Sequence, residues 1–461
     1  MGMKRVDTAK DVGAKTFTAR ELLATATSGK DDRLLIAIDG RVHDVTGWTK
    51  HHPGGATLLK QHAGHDASDV FAAFHAPEVY RKLRAFDVGA FEPDDAIAME
   101  NSSDSESDDA FSDDSVAAAD RSDLKKQNRA RELAAFRDLR ERVRKEGLFE
   151  PSYAHMFGTF LRLFVIGAFA AVFSFAPNST PRGRILGAAL LGLFWQQSLL
   201  IAHDACHRVM TTNTKVDKWI GSVFGTLIGG VGAAWWNMEH CEHHCVTQVV
   251  GGDPSAGAAP VLCLELQTKG LPKIGRALVK LQALYYVPVC IFIGRFNLHL
   301  ISILKAPSKG KALDVALMTG YMSYVYGLTR LVPESERWRW FMIANAVCGV
   351  LHLILNMNHY PMPMLSFPES QALGWLRFQC VTTMNIASSS LTGWYYGGLE
   401  WQIEHHLFPT MPRHNLRKVS HRVKELCLAN GVPYHVAEGG FWDANWSVMK
   451  TLHDVARGLV I

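Results

Sequence analysis

Apolar positions along this chain change their spacing three times, and each change marks a different kind of structure. From residue 16 to 91, short runs of strand character (LLIAI, RVHDV) alternate with polar segments of helical spacing. That pattern predicts a small α+β domain. Residues 92–123, including NSSDSESDDAFSDDS, contain few large apolar side chains. Such a stretch cannot bury enough surface to offset its ordering, so a flexible acidic linker is expected there. In 124–150 the apolar residues Leu133, Phe136, Leu139 and Val143 recur at helical intervals. This predicts an amphipathic helix whose basic face would suit a membrane surface.

Past Pro151 the spacing gives way to long apolar runs, and a helical span needs about 20 such residues. Six segments qualify: Phe157–Ala176, Ile185–Ala202, Trp219–Trp236, Ala283–Leu304, Leu313–Val332 and Trp340–Met357. The expectation for 151–461 is therefore an all-α, multi-span membrane domain.

Composition refines this picture. The chain has 461 residues, 48% of them hydrophobic, which excludes wholesale disorder. Its net charge is +4, yet twelve acidic residues and one basic residue lie between Phe91 and Asp123, so the rest of the protein is distinctly basic. That suits an anionic membrane surface or nucleic acid. The basic residues adjoin apolar spans instead of interleaving with aromatics, which argues against nucleic acid. The 8 cysteines all lie beyond residue 205 in or near apolar stretches. They read as reduced thiols, not as a disulfide framework. The first residues, MGMKRVDTAKDVGAK, carry no apolar core, so a cleaved secretory leader is not expected.

Two groups of histidines carry the chemistry. In the first, His52-Pro53-Gly54-Gly55 follows RVHDVTGW, and His75 ends the helical run ASDVFAAFH. A haem that only passes electrons needs strong ligands at both axial positions, and two neutral imidazoles from opposite walls of an apolar cleft provide them. HPGG alone fits a turn histidine equally well. The flanking segments and the second histidine favour haem. His51, His62 and His65 are expected at the surface.

The second group comprises three short boxes: His203-Asp-Ala-Cys-His207, His240-Cys-Glu-His243-His244 and Gln402-Ile-Glu-His405-His406. Residues three and four apart share a helix face. Three helix ends presenting imidazoles in this way could surround a pair of metal ions. Imidazole suits iron, copper, zinc or nickel, and an electron-transfer haem on the same chain points to iron with dioxygen. Zinc is the alternative for the second box, where Cys241 and Cys245 flank the histidines. Asp204, Glu242 and Glu404 are placed to orient imidazole rings.

Together these features resemble a cytochrome b5-fusion front-end acyl desaturase of the membrane histidine-box type. The stretches MNHYP, TTMNI and GGLEWQIEHHLFPTMPRHNL, from Met357 onward, resemble that family as well. The resemblance implies haem b held by His52 and His75, and four membrane spans with a cytosolic histidine-rich cap. It implies two non-haem irons held by His203, His207, His240, His243, His244, His405 and His406, with His359 as an extra ligand. Gln402 stands where other desaturases have histidine and is expected to be a ligand or to support one. His352 and Asn356 could share a face with His359 and are expected to serve core packing or a water-mediated role. Dioxygen would be the co-substrate, NADH–cytochrome b5 reductase the electron donor, a membrane acyl lipid the substrate, and the endoplasmic reticulum membrane the location. The run Gly251-Gly252-Asp253-Pro254 departs from the family's usual continuation of the second box, so it carries no expectation about the substrate.

All ligands must reach one site, which restricts the topology. Phe157–Ala176 and Ile185–Ala202 would cross and return, delivering His203. Trp219–Trp236 would be buried or interfacial. Leu313–Val332 and Trp340–Met357 would be the second pair, leaving Ala283–Leu304 in the interface between basic segments. The expected activity places a cis double bond between an existing one and the carboxyl end, of Δ6 or Δ8 type. A sphingoid-base Δ8 desaturase and a lipid hydroxylase share the same iron chemistry. A haem-bearing membrane anchor would not need the boxes.

Overall fold

The computed structural model describes residues 15–27, 32–92, 115–257, 261–264 and 271–458. It divides into two compact units, Met1–Ala119 and Asp120–Ile461. In the first unit, β1 (Thr16–Thr18), α1 (Ala19–Thr27), β2 (Leu35–Ile38) and β3 (Arg41–Asp44) are followed by α2 (Ala56–Gln61), α3 (Ser68–Phe74) and β4 (Asp87–Glu92). The sheet order is β1-β4-β3-β2. β1 pairs with β4 in parallel, and the other pairings are antiparallel. All four residues of β2 are buried, because both faces of the strand are covered. Leu35 and Ala37 join Phe17 and Leu22 on one side, while Ile36 and Ile38 join Val45 and Ala67 on the other. The second of these clusters, with Phe71 and Leu59 packed against it, lies under the segment carrying His52 and His75.

The second unit is helical. It opens with α4 (Ser115–Lys145), so 115–123, expected in the linker, belongs to this helix, while 93–114 lies outside the described residues. The amphipathic face is present as expected, but its partner is protein. Phe136, Leu139 and Val143 are buried, and Phe136 stacks on Phe408 at 5.6 Å between ring centroids. Glu132 pairs with Arg377 (2.9 Å), Glu146 pairs with Arg422 (2.6 Å), and the Leu148 carbonyl accepts from Asn415. This apolar stripe is covered by the C-terminal cap, and the basic side of the helix is left outward.

Next come α5 (Tyr153–Phe175) and α6 (Pro181–Cys206), each N-capped by a hydroxyl, Ser152 and Thr180 respectively. Trp219–Trp236 is not one helix. α7 (Thr214–Gly221) runs into a π-helical turn, the chain breaks at Gly229–Gly232, and α8 (Ala233–Cys245) starts anew. α9 is a continuous run, Lys273–Leu304, wound as π-helix over Val289–Gly294. α10 (Ser308–Leu331) and α11 (Arg337–Met357) follow. The cap then adds α12 (Trp375–Thr382), β5 (Asn385–Ile386), α13 (Gln402–Leu407), α14 (Arg413–Ala429), β6 (Val436–Ala437) and α15 (Gly440–Ala456). All eight cysteines are free thiols, as expected.

Among the described residues, four helices are long and apolar enough to cross a membrane: Tyr153–Phe175, Pro181–Cys206, Lys273–Leu304 and Glu334–Met357. This set differs from the expected one, since it takes in α9 and leaves out α10. The reason is compositional: Asp314, Tyr321, Ser323, Tyr324 and Tyr326 dilute the apolar character of α10. Contacts trace a different path for α9. One end of the second unit is marked by His203 and His359, at the C-terminal ends of α6 and α11. The opposite end is marked by the Arg184–Glu336 ion pair (2.6 Å) at the starts of those helices. At one end of α9, Ser302 lies beside Gly232 and Asp314, near the start of α10 at the histidine end. At the other, Gln282 donates to the Leu452 carbonyl in the cap. Between them Arg295 bonds Asn345 and Tyr321, midway along α11 and α10. α9 therefore dips to mid-depth and returns, while α10 runs from the histidine end to the opposite one.

Because α4 is held to the cap by a buried aromatic contact, Phe136→Ala is expected to destabilise the second unit by about 3–5 kcal/mol. The measurement is the thermal midpoint of the full-length protein in detergent; an unchanged midpoint would show that α4 contributes no docking energy.

Candidate metal centre and haem site

In the first unit His52 and His75 face each other, with ring centroids 6.1 Å apart. Each ring is fixed through Nδ1, which donates to a backbone carbonyl: Gly55 at 3.0 Å for His52 and Phe71 at 3.0 Å for His75. That choice of tautomer leaves both Nε2 lone pairs directed into the cleft, as axial ligation of a haem requires. Gly54 packs directly on the His52 ring, leaving little room there for a side chain. His51 is exposed as expected. His62 is buried and donates from Nδ1 to the Leu58 carbonyl, and His65 is half-buried, its pKa pushed down to about 4 by burial and by His62. Neither is the surface residue expected, because the turn after α2 folds under β2, where the Ala37 amide bonds the His65 carbonyl.

In the second unit the boxes converge from four helix ends. His203 and His207 come from the end of α6, His240, His243 and His244 from α8, His359 from just past α11, and Gln402, His405 and His406 from α13. All nine are buried. Two groups form, with ligand atoms within 4.8 Å of one another: His203, His207, His240 and His405 in one, His243, His359 and His406 in the other. His244 stands between them, its Nε2 3.2 Å from that of His240 and its ring 4.1 Å from that of His406. Gln402 joins the second group, its carboxamide nitrogen 3.2 Å from His359 Nε2 and 3.4 Å from His406 Nε2.

The donor set fits metal ions. Nδ1 of His243 donates to Asp253 (3.0 Å), that of His359 to the Thr382 carbonyl (3.1 Å) and that of His406 to Gln379 Oε1 (2.9 Å). The Nε2 atoms are thus left as lone pairs pointing inward. His203 and His240 oppose Nε2 to Nε2 at 2.9 Å. The Nε2 atoms of His207 and His405 and Oε1 of Gln402 are buried with no hydrogen-bond partner among the described residues. A cluster of facing lone pairs of this kind calls for cations. Burial and neighbouring imidazoles hold His240, His244, His405 and His406 well below the ordinary histidine value, and His359 falls to about 3. They are neutral at physiological pH, as metal ligation requires. Burial would also lower His243, but the Asp253 carboxylate outweighs it and raises that histidine.

Of the three carboxylates expected to orient rings, Asp204 lies 3.5 Å from His203 Nδ1 and also binds Arg413. Glu404 turns away, accepting from Asn385 (2.8 Å) and Tyr434 (2.9 Å). The residue missed is Asp253, in the run that departs from the family pattern. It also accepts from the Gln248 amide (2.8 Å), and Gln248, held at φ 56°, donates to the His359 carbonyl (3.0 Å). An acid nine residues after the second box was the available signal. Gln379 and Thr382 gave none, because their partners are distant in sequence. His352 bonds the Gly349 carbonyl and Asn356 bonds Cys290, so both serve packing.

A fatty acid desaturase model matches residues 181–438, more than half of the chain, and a cytochrome b5-like haem/steroid-binding domain model matches residues 18–92. The chain belongs to the fatty acid desaturase family. Among similar proteins are the Delta(8)-fatty-acid desaturase 1 of Arabidopsis thaliana, 29% identical over 97% of this chain and 95% of that one. The Delta(8)-fatty-acid desaturase of Euglena gracilis is 30% identical over 83% and 87%. The Delta 8-(E)-sphingolipid desaturase of Komagataella phaffii is 26% identical over 93% and 91%. This desaturase is thus an oxidoreductase acting on acyl lipids in a membrane, with haem, a di-iron centre and dioxygen as its cofactors and co-substrate, and it takes its electrons from a redox partner.

The His243–Asp253 contact can be tested directly. Asp253→Asn is expected to lower iron affinity about 10–100-fold while leaving the haem absorbance intact, measured as bound iron against free iron in the purified desaturase. Iron binding equal to wild type would remove Asp253 from the site.

Proposed function

We propose that this desaturase inserts a cis double bond between an existing double bond and the carboxyl end of a polyunsaturated acyl chain, at the Δ6 or Δ8 position. The observation that carries the reading is an apolar pocket lined by Leu199, Leu200, Trp236, Leu298, Leu351 and Leu355, with His203 in its wall. A methylene chain has nothing to offer but apolar surface, and such a cavity holds it, keeps water away and limits which carbon pair can reach the histidines.

His203, His207, His240, His243, His244, His359, Gln402, His405 and His406 would hold the two irons, with His52 and His75 holding the haem. When bound, the irons supply oxidation by dioxygen, in which one CH₂–CH₂ unit, O₂, two electrons and two protons become CH=CH and two waters. The chain's own work is positional. Asp253, Gln379 and the Thr382 carbonyl keep the imidazoles in their inward tautomer, and Trp236, stacked on His240 at 5.1 Å, joins the cavity wall to the ligand set.

We read α5, α6, α10 and α11 as the four spans, with the histidine end and the haem unit on the cytosolic side of the endoplasmic reticulum membrane. NADH–cytochrome b5 reductase would be the donor. A sphingoid-base substrate is the second reading, favoured by the similarity to a desaturase named for sphingolipids.

Expression in a yeast lacking polyunsaturates, fed separately with C18 and C20 polyenes, tests the proposal. The expected product is a new cis bond on the carboxyl side of an existing one, located by mass spectrometry, and His405→Ala is expected to abolish it. An altered long-chain base or a hydroxylated chain with no new acyl bond would overturn the fatty-acid reading.

A further inference from the structure

The last helix of the desaturase carries two large aromatics that the protein does not cover. Trp442 is 80% exposed and Trp446 67% exposed, one turn apart on the same face of α15. Its opposite face is committed: Ala444, Val448 and Leu452 are buried in the core shared with α9 and α11. Two adjacent exposed tryptophans on a firmly packed helix are more than scattered surface apolarity.

Their surroundings identify what covers them. α15 packs antiparallel against the first half of α9. Gln282 donates to the Leu452 carbonyl (2.8 Å), and the Tyr286 hydroxyl donates to Asn445 (3.2 Å). That register sets Trp442 and Trp446 level with the stretch of α9 leading into Phe292 and Ile293, both exposed and apolar, where α9 dips to mid-depth. It sets Lys450 and Arg457 at the level of Lys280 and Arg276, the basic start of α9. On α9 the change is from basic to apolar, and on α15 the two tryptophans lie at the apolar end of that change while Lys450 and Arg457 lie at the basic one, with Asp443 and Asp454 as the acids of the helix. Leu284, 80% exposed, sits on the outer surface of α9 within the same stretch. A shared gradient across two packed helices, continuous with apolar spans, matches the change from headgroup to hydrocarbon. Indole rings favour that boundary, with the ring among chains and the N–H toward water.

We propose that α15 is an interfacial membrane anchor, with Trp442 and Trp446 seated in the leaflet at the histidine end. It ties the cap to the same leaflet that α9 enters, and α9 supplies Leu298 to the acyl cavity. The inference rests on the proposed placement of the histidine end at one leaflet and does not depend on which carbon pair is oxidised.

The test compares the full-length desaturase with W442F/W446F, a conservative change at exposed positions, in phosphatidylcholine vesicles with and without bromine on the acyl chains. The quantity read is the tryptophan emission that the double variant loses. Bromolipid is expected to quench most of this difference emission and aqueous iodide little of it. Quenching by iodide without bromolipid would place the two rings in water and overturn the proposal. Resistance to both quenchers would overturn it in favour of burial against a second copy or another protein.

Discussion

The interaction on which the rest of the second unit depends is unfavourable in the protein by itself. Eight buried imidazoles and one carboxamide converge with their inner nitrogens and oxygens facing one another, closed to water. Neutral imidazole offers one donor and one acceptor, and here the donors of His243, His359 and His406 are spent outward on Asp253, Thr382 and Gln379. What remains inward is a shell of lone pairs. Cations relieve it, and without them the surrounding packing must hold the groups in place.

That demand accounts for much of the architecture. The histidines come from four separate helix ends, so their positions are only as good as the packing between those helices. Close approach is secured by small residues: a Cβ at Gly192 would strike the Ala344 backbone between α6 and α11, and one at Gly349 would strike Ile291 between α9 and α11. In a lipid environment, where apolar contact alone does not drive helices together, this kind of small-residue seam lets backbones approach. At the opposite end, Arg184 and Glu336 pair at 2.6 Å and the Trp340 indole donates to Ser174, fixing the starts of the same helices. The cap closes the other side through α4, whose buried Phe136 reaches Phe408 two residues after His406.

The convergence of the box histidines and the facing of His52 and His75 were legible in the sequence because such groupings carry local spacing: three or four residues on a helix, a histidine beside a Pro-Gly-Gly turn. The groups that orient them were mostly illegible. Gln379 and Thr382 act across more than twenty residues, and no periodicity announces such contacts. Asp253 was within reach of the second box, but it lies in a run that departs from the expected pattern. The amphipathic stripe of α4 was read correctly as a stripe, but the cap that covers it was not legible. Periodicity reports that a face will be buried and is silent on what buries it. His62 and His65 were misplaced for a related reason, since a polar loop can still be tucked under a sheet.

On the proposed set of spans, α9 and α10 depart from what hydropathy alone selects. Its 32 residues are apolar enough to cross, yet Arg295 near its middle is fully buried and bonded to Asn345, Tyr321 and Cys348, with Trp195 4.9 Å from the guanidinium. Every one of those partners sits on a neighbouring helix, so a cation at mid-depth is held by protein, and α9 is fixed where it turns back. α10, which supplies Tyr321 to that guanidinium, is less apolar than α9 because it carries polar side chains such as Asp314, Tyr321 and Tyr324. Tyr321 thus both lowers the hydropathy of α10 and helps hold α9 where it turns back. On the proposed set of spans, the choice between the two helices follows from the side-chain contacts between them, not from the average apolarity of either.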